Sequence, residues 1–482
     1  MTMKPNKIIF DSMKKTTYSI LVASAALCAV SCNFLDEELK GGYTSESFYT
    51  DAKNAEMAVN GVYNSLYNHK LWIFTDVASD DSVKGGNAGD QADINSIDNF
   101  TATPDNGPIS EFWQHTYETI TRANNVIANV QKMNLADDTK ASYIAQSKFF
   151  RAYSYFNLVN IFGQVPLKLL PQDTQEAIHV GLSTIESIYA QIDRDLTDAA
   201  AALPEEYQAA EAGRVTRGAA LALLAKSKLY QKDYSGCLSA ITQIEQLNIY
   251  DLEQVYSDLF KRGGEDSVES IFAIRYANNT TAQLGNNLNV WFAPSPEGGY
   301  YFNAPTADYV SNFDETTAGG ETDPRLDASI GRDGQPWFGT TFSSSWSEAT
   351  GYLVKKYHEA LPEGEAIAQS TIPQHILRYA DVLLMKAEAL NESNQSGAKV
   401  PLNKVRTRAG LAEVGDLTQP DMRALIRKER RKELGFEFQR FFDVMRYGKD
   451  YAKAVLPELP WESERYYFPL PQSETDINTS IQ

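Results

Sequence analysis

The chain is short of the residues on which most enzymes and metal proteins depend. Its 482 residues include 3 cysteines and 5 histidines. Cys28, Cys32 and Cys237 have no C-x-x-C spacing, and the histidines at 69, 115, 179, 358 and 375 have no metal-ligand spacing. H-E-x-x-H, G-x-S-x-G and G-x-x-x-x-G-K are all missing. Basic residues are in deficit as well, with 44 Lys and Arg against 63 Asp and Glu for a net charge of -19. A phosphate-binding surface needs the opposite sign, so no nucleic-acid partner is expected. The locally basic run from Arg423 to Arg440 interleaves acids and amides at helical spacing, which reads as a salt-bridged helix. Paired carboxylates of the glycosidase kind carry no weight among 63 acidic residues.

Long hydrophobic runs are missing too. The most apolar stretch, residues 19–30, has 12 residues, too few to span a bilayer and right for the core of a signal peptide. Lys14 and Lys15 precede it, and Ala29-Val30-Ser31-Cys32 follows. This end resembles a bacterial lipobox, which implies a signal peptide over residues 1–31, with Met13 as an alternative start, and lipidation of Cys32. Loss of Cys28 with the signal and acylation of Cys32 would leave Cys237 alone, so no internal disulfide is expected. Cys237 falls on a helical seam and reads as a core thiol. Asp36, Glu37 and Glu38 after the anchor resemble the surface-export signal of lipoproteins in the Bacteroidetes.

What is present is a helical pattern and many aromatics. Ile376, Ala380, Leu383, Ala387 and Leu390 predict one helix stripe, and Pro401 opens a second helix after an Asn/Ser/Gly break. Such a pair resembles one tetratricopeptide unit, which needs stacked neighbours to cover its apolar face. Further helices are expected over residues 51–67, 111–133, 141–162, 185–203, 216–231 and 235–247. The expected fold is mainly α: a helical-pair scaffold over 51–70, 111–249 and 373–447, carrying a variable, loop-rich lobe over 71–110 and 250–372 with a few short strands. A single domain over 32–482 holds both. In the lobe the helical period disappears, and 71–108, rich in Asp, Asn and Gly, reads as a long surface excursion. Ten aromatics scattered between Trp291 and Tyr352 are hard to bury together, so two or three should be exposed.

Several motifs in order then identify a family. Phe149-Phe150-Arg151-Ala152 running into Tyr155-Phe156 and Gly163-x-x-Pro166-Leu167 is similar to the FRA and PL pattern of the SusD/RagB family. Arg378-Tyr379-Ala380-Asp381, Ala387-Glu388-Ala389, Arg406-x-Arg408-Ala409-Gly410, Glu429-Arg430-Arg431-x-Glu433, Asp443-Val444-Met445-Arg446 and Phe468-Pro469-Leu470-Pro471 follow in the family's sequence. The resemblance implies a lipid-anchored, non-catalytic protein on the outer-membrane surface. It would capture an oligosaccharide or polysaccharide and deliver it to a SusC-like TonB-dependent transporter. A peptide-capturing member of the family and a surface glycoside hydrolase are the alternatives. The charged motif residues Arg151, Arg378, Glu388, Arg406, Glu429 and Arg430 lie on apolar-striped helices, which suits helix locking rather than ligand contact.

Ligand contacts are therefore expected in the variable lobe. Trp291, Tyr300, Tyr301 and Trp337 sit in Gly/Pro-bounded loops where rings can face solvent and cover the C–H faces of a sugar. Trp72 opens the other excursion, near Asp80, Asp81 and Asn87, which can hydrogen-bond to hydroxyls. No cofactor is expected. Asp80, Asp81 and Asp93 offer oxygens to a structural calcium ion, but EF-hand spacing is absent and a solvated loop is the other reading.

Overall fold

A computed structural model describes residues 48–67, 70–171, 178–279, 281–460 and 463–481. The signal segment, Cys32 and the acidic run after it lie outside these. From Asp51 onward the chain forms one unit.

The scaffold is a stack of antiparallel helices. Helix α1 (Ala52–Asn64) buries Ala55, Val59 and Val62 and is capped by Asp51, whose carboxylate accepts from the Asn54 N–H. Two long helices follow, α2 (Gly107–Val130) and α3 (Asp137–Phe162), then α4 (Ile185–Ala202), α5 (Arg217–Tyr230) and α6 (Tyr234–Leu247), each packed on the next. From Ala145 to Phe162 every residue of α3 but Lys148 is buried, because neighbours close over it on all sides. Thr184, Thr216 and Asp233 cap α4, α5 and α6. The chain returns to the scaffold in α7 (Tyr379–Glu392), α8 (Lys399–Arg408), α9 (Gln419–Leu434), α10 (Arg440–Arg446) and α11 (Lys449–Val455). Ala380 and Ala387 are fully buried on α7, which packs on α6 and α9, and Cys237 is fully buried on α6.

Two expectations from periodicity are corrected. The stripe drawn from Ile376 is not all helix: Gln374–Arg378 is a strand, antiparallel to Ser270–Ile274, and the helix begins only at Tyr379. Ile376 and Leu377 continue the apolar pattern while the backbone is still extended through Arg378. The segment after residue 70 is not a surface excursion either. Residues 71–79 are buried, Ile73–Val77 forms a single π-helical turn, and Phe74 packs on Phe112, Phe162 and Phe468. Its polar run masks an apolar start, and that start decides its place.

Buried charge ties the lobe to the scaffold. Arg378 Nη1 lies 2.6 Å from both Glu269 and Glu433, and its Nε lies 2.6 Å from Glu437. Arg325, fully enclosed, meets Asp323, Glu429 and Glu433. Arg151 pairs with Asp195 at 2.7 Å, Arg406 with Glu315 and Glu429, Arg430 with Asp381 and Asp443, and Arg446 with Glu388. The motif residues therefore lock helices, and such pairs specify geometry more than they add net stability.

Candidate functional site

The two variable segments meet through a short ribbon. Strand β1 (Ser82–Gly85) pairs antiparallel with Phe302–Pro305, Ser82 opposite Pro305 and Gly85 opposite Phe302. At its end the Gly86 N–H donates to the Tyr301 carbonyl at 2.9 Å. Gly85 and Gly86 have φ of 72° and 63°, and a Cβ on Gly85 would stand 2.5 Å from that carbonyl oxygen, so glycine is required here. Tyr301 itself has φ of 43°, an uncommon conformation for an aromatic residue. Its hydroxyl donates to Asn87 Oδ1 at 2.7 Å, and Asn87 Nδ2 donates to Asp90 at 3.0 Å. Lys84 fixes the turn from below through the carbonyls of Asn87 and Asp90. Burial raises the Asp98 carboxyl to about 6, although it accepts from the Lys84 N–H.

Beside this ribbon stands an aromatic group that reaches solvent. The Trp291 ring is half-buried on the short helix Leu288–Phe292 and meets Trp72, Tyr300 and Phe302 at 5.7, 5.5 and 5.6 Å. Tyr300 is 52% exposed, the most exposed aromatic among the described residues of the lobe. Lys70 lies 5.3 Å from the centre of the Trp291 ring and is held there by Glu111 at 2.9 Å. Behind, Trp337, Phe342 and Leu353 form a small core against which Tyr301, Phe338 and Trp346 rest half-buried. The result is a rim of aromatic faces with an amide, carboxylates and an ammonium alongside.

The expected contacts divide accordingly. Asn87, Trp291, Tyr300 and Tyr301 come together on this surface. Trp72 and Trp337, expected as platforms, are both 0% exposed and are corrected to core. Trp72 carries Trp291 and Phe292 on its faces, while Trp337 stacks on His358 at 4.8 Å and donates from Nε1 to Glu297 at 2.8 Å. Asp80 and Asp81 are likewise committed inside: Arg440 holds Asp80 at 2.7 Å and Arg431 holds Asp81 at 2.5 Å. Among the described residues no group of three or more His, Cys, Asp or Glu is arranged for a metal ion. Lys70, Glu111 and Trp346 were not singled out as contacts; the scaffold brings the first two to the rim from outside the lobe.

Comparison of the whole chain with known proteins identifies a family associated with the outer membrane. A family model described as "Starch-binding associating with outer membrane" matches residues 33–230, and one described as "SusD family" matches residues 268–465. The chain belongs to the SusD/RagB family. It is 27% identical to SusD-like protein P2 of Formosa agariphila, over 97% of this chain and 99% of that one. A SusD-like carbohydrate binding protein from Bacteroides fragilis superposes with a TM-score of 0.79 at 28% identity, covering 90% of this chain and 100% of that one. A laminarin binding SusD-like protein gives 0.77 at 26% identity, covering 90% and 97%.

Proposed function

We propose that this protein captures a glycan on the surface formed by Tyr300, Trp291, Tyr301 and Asn87 and hands it on without cleaving it. The observation that carries the reading is the rim itself: exposed and half-exposed rings beside fixed hydrogen-bonding groups, on backbone held by glycines and a left-handed tyrosine. Pyranose rings present flat C–H faces and a girdle of hydroxyls, and such a rim offers a partner to each. The names of two relatives, one carbohydrate-binding and one laminarin-binding, favour a β-glucan as the first ligand to try.

In this reading Cys32 carries the lipid that holds the protein on the outer face of the outer membrane, and the recipient is a SusC-like TonB-dependent transporter. No helix among the described residues is long and apolar enough to cross a membrane. Native electrophoresis through gels containing laminarin, starch and other polysaccharides tests capture, and product analysis after long incubation tests the absence of cleavage. Retarded migration in at least one gel with no shortened products is expected. Shortened products would assign hydrolysis instead.

A further inference from the structure

A second hollow, of about 400 Å³, opens on the helical scaffold between α5, α6, α7, α9, α10 and α11, elements that contribute nothing to the aromatic rim. Its carboxylates Glu388 and Glu392 are already taken. Arg423 grips Glu392 through two contacts of 2.7 Å, and Arg446 binds both oxygens of Glu388. Arg427 is different. Its guanidinium lies 4.1 Å from the Tyr447 ring centre and 4.9 Å from that of Tyr451, with no carboxylate at ion-pair distance among the described residues. Stacking covers the face of the fork and leaves its N–H edge for a planar acceptor. Lys232, exposed at the mouth, is also without an acidic partner among the described residues, while Asp450 supplies the one unengaged acid. In a chain of net charge -19, two unmatched cations lining one hollow mark a place for an anion. Tyr234, half-buried on the wall, has no aromatic ring paired with its own among the described residues.

We infer that this hollow binds a hexuronate residue. Arg427 takes the carboxylate through two parallel hydrogen bonds, Lys232 adds charge at the mouth, and Tyr234 covers a C–H face of the ring. The volume holds one or two sugar rings rather than an extended acidic peptide. The inference stands apart from the aromatic rim and survives or fails independently of it.

Saturation-transfer NMR and calorimetry on the purified protein, with D-glucuronate and D-galacturonate as probes and D-glucose, D-galactose, acetate and a tri-glutamate peptide as controls, decide it. The expected result is uronate binding near the millimolar range, at least about tenfold tighter than acetate or the neutral sugars. Arg427→Ala should weaken it about tenfold or more, with a melting temperature within a few degrees of the wild type, since the substitution removes only the stacking on Tyr447 and Tyr451 and no ion pair. Lys232→Ala, on an exposed turn, should weaken it less, and Tyr300→Ala should leave it intact. Uronate binding no better than acetate, tri-glutamate binding in its place, or undiminished uronate affinity in both the Arg427 and Lys232 variants would overturn the assignment.

Discussion

The Tyr301 hydroxyl donates a 2.7 Å hydrogen bond to Asn87 Oδ1 across 214 residues of chain. This contact joins the two irregular segments into one surface, and the β1 ribbon beneath it fixes their relative position. Polar capture groups and aromatic faces thus come from different halves of the sequence and are assembled by the scaffold.

Trp337 separates support from contact. It is fully enclosed, stacks on His358 and donates to Glu297, which also contacts His358 at 2.5 Å. Trp337→Ala should therefore destabilise the fold by about 3 to 5 kcal/mol in chemical denaturation. A loss below about 1 kcal/mol would place the ring on the surface.

His375 gives a pH dependence with a defined sign. Burial holds its imidazole down to about 4 from an ordinary 6.5, even though its Nε2 lies 2.8 Å from the Leu259 carbonyl oxygen. Between those values the unfolded chain binds a proton that the folded chain does not, so stability falls as the pH drops from about 6.5 toward 4. The contribution is about 3 kcal/mol across the window. Unfolding free energies of the wild type and His375→Gln, measured from pH 7 to 4, should diverge in slope by up to one proton. Parallel curves would contradict the buried neutral ring.

The Arg378 hub makes the opposite kind of claim. Removing it leaves three buried carboxylates, Glu269, Glu433 and Glu437, to the remaining cations Arg408, Arg325 and Lys356, with one positive charge fewer in the interior. Arg378→Ala is expected to lose about 3 to 5 kcal/mol or to fail to fold, whereas an exposed-pair substitution such as Lys261→Ala should change stability by less than about 1 kcal/mol. Denaturant midpoints of the two variants check the contrast.

The helical pairs were legible because their apolar residues repeat at the helix period and Pro401 stands near the start of its helix, while the caps at Thr184 and Thr216 emerged only with the structure. The locking role of Arg151, Arg378 and Arg430 was legible too, since a charge on an apolar stripe needs a partner. Gln374–Arg378 was misread because Ile376, on the strand, stands at helical spacing from Ala380, Leu383, Ala387 and Leu390 on the helix, a spacing that the backbone before Tyr379 does not follow. In the lobe no period applies, so burial depends on contacts distant in sequence. Trp72 and Trp291 look alike in their loops, yet one is covered by Trp291, Phe292 and Phe302 while the other reaches the rim. Asp80 and Asp81 met arginines some 350 residues away, beyond the reach of local pattern.

Membrane attachment should rest on one atom. Cys32→Ala should leave the precursor unprocessed or release the protein from the membrane fraction, with loss of the mass added by the lipid. Retention with that mass intact would refute the lipobox reading.

The central claim is that Tyr300 and Trp291 are ligand platforms rather than structure. Native affinity electrophoresis in laminarin and the other polysaccharide gels, run on the wild type, Tyr300→Ala and Trp291→Ala with melting curves from the same preparations, tests it most directly. Each substitution is expected to remove about 2 kcal/mol of binding, some thirtyfold in affinity, while the melting temperature of Tyr300→Ala stays within a few degrees of the wild type. Full glycan affinity in both variants would contradict the account and move the site away from this rim.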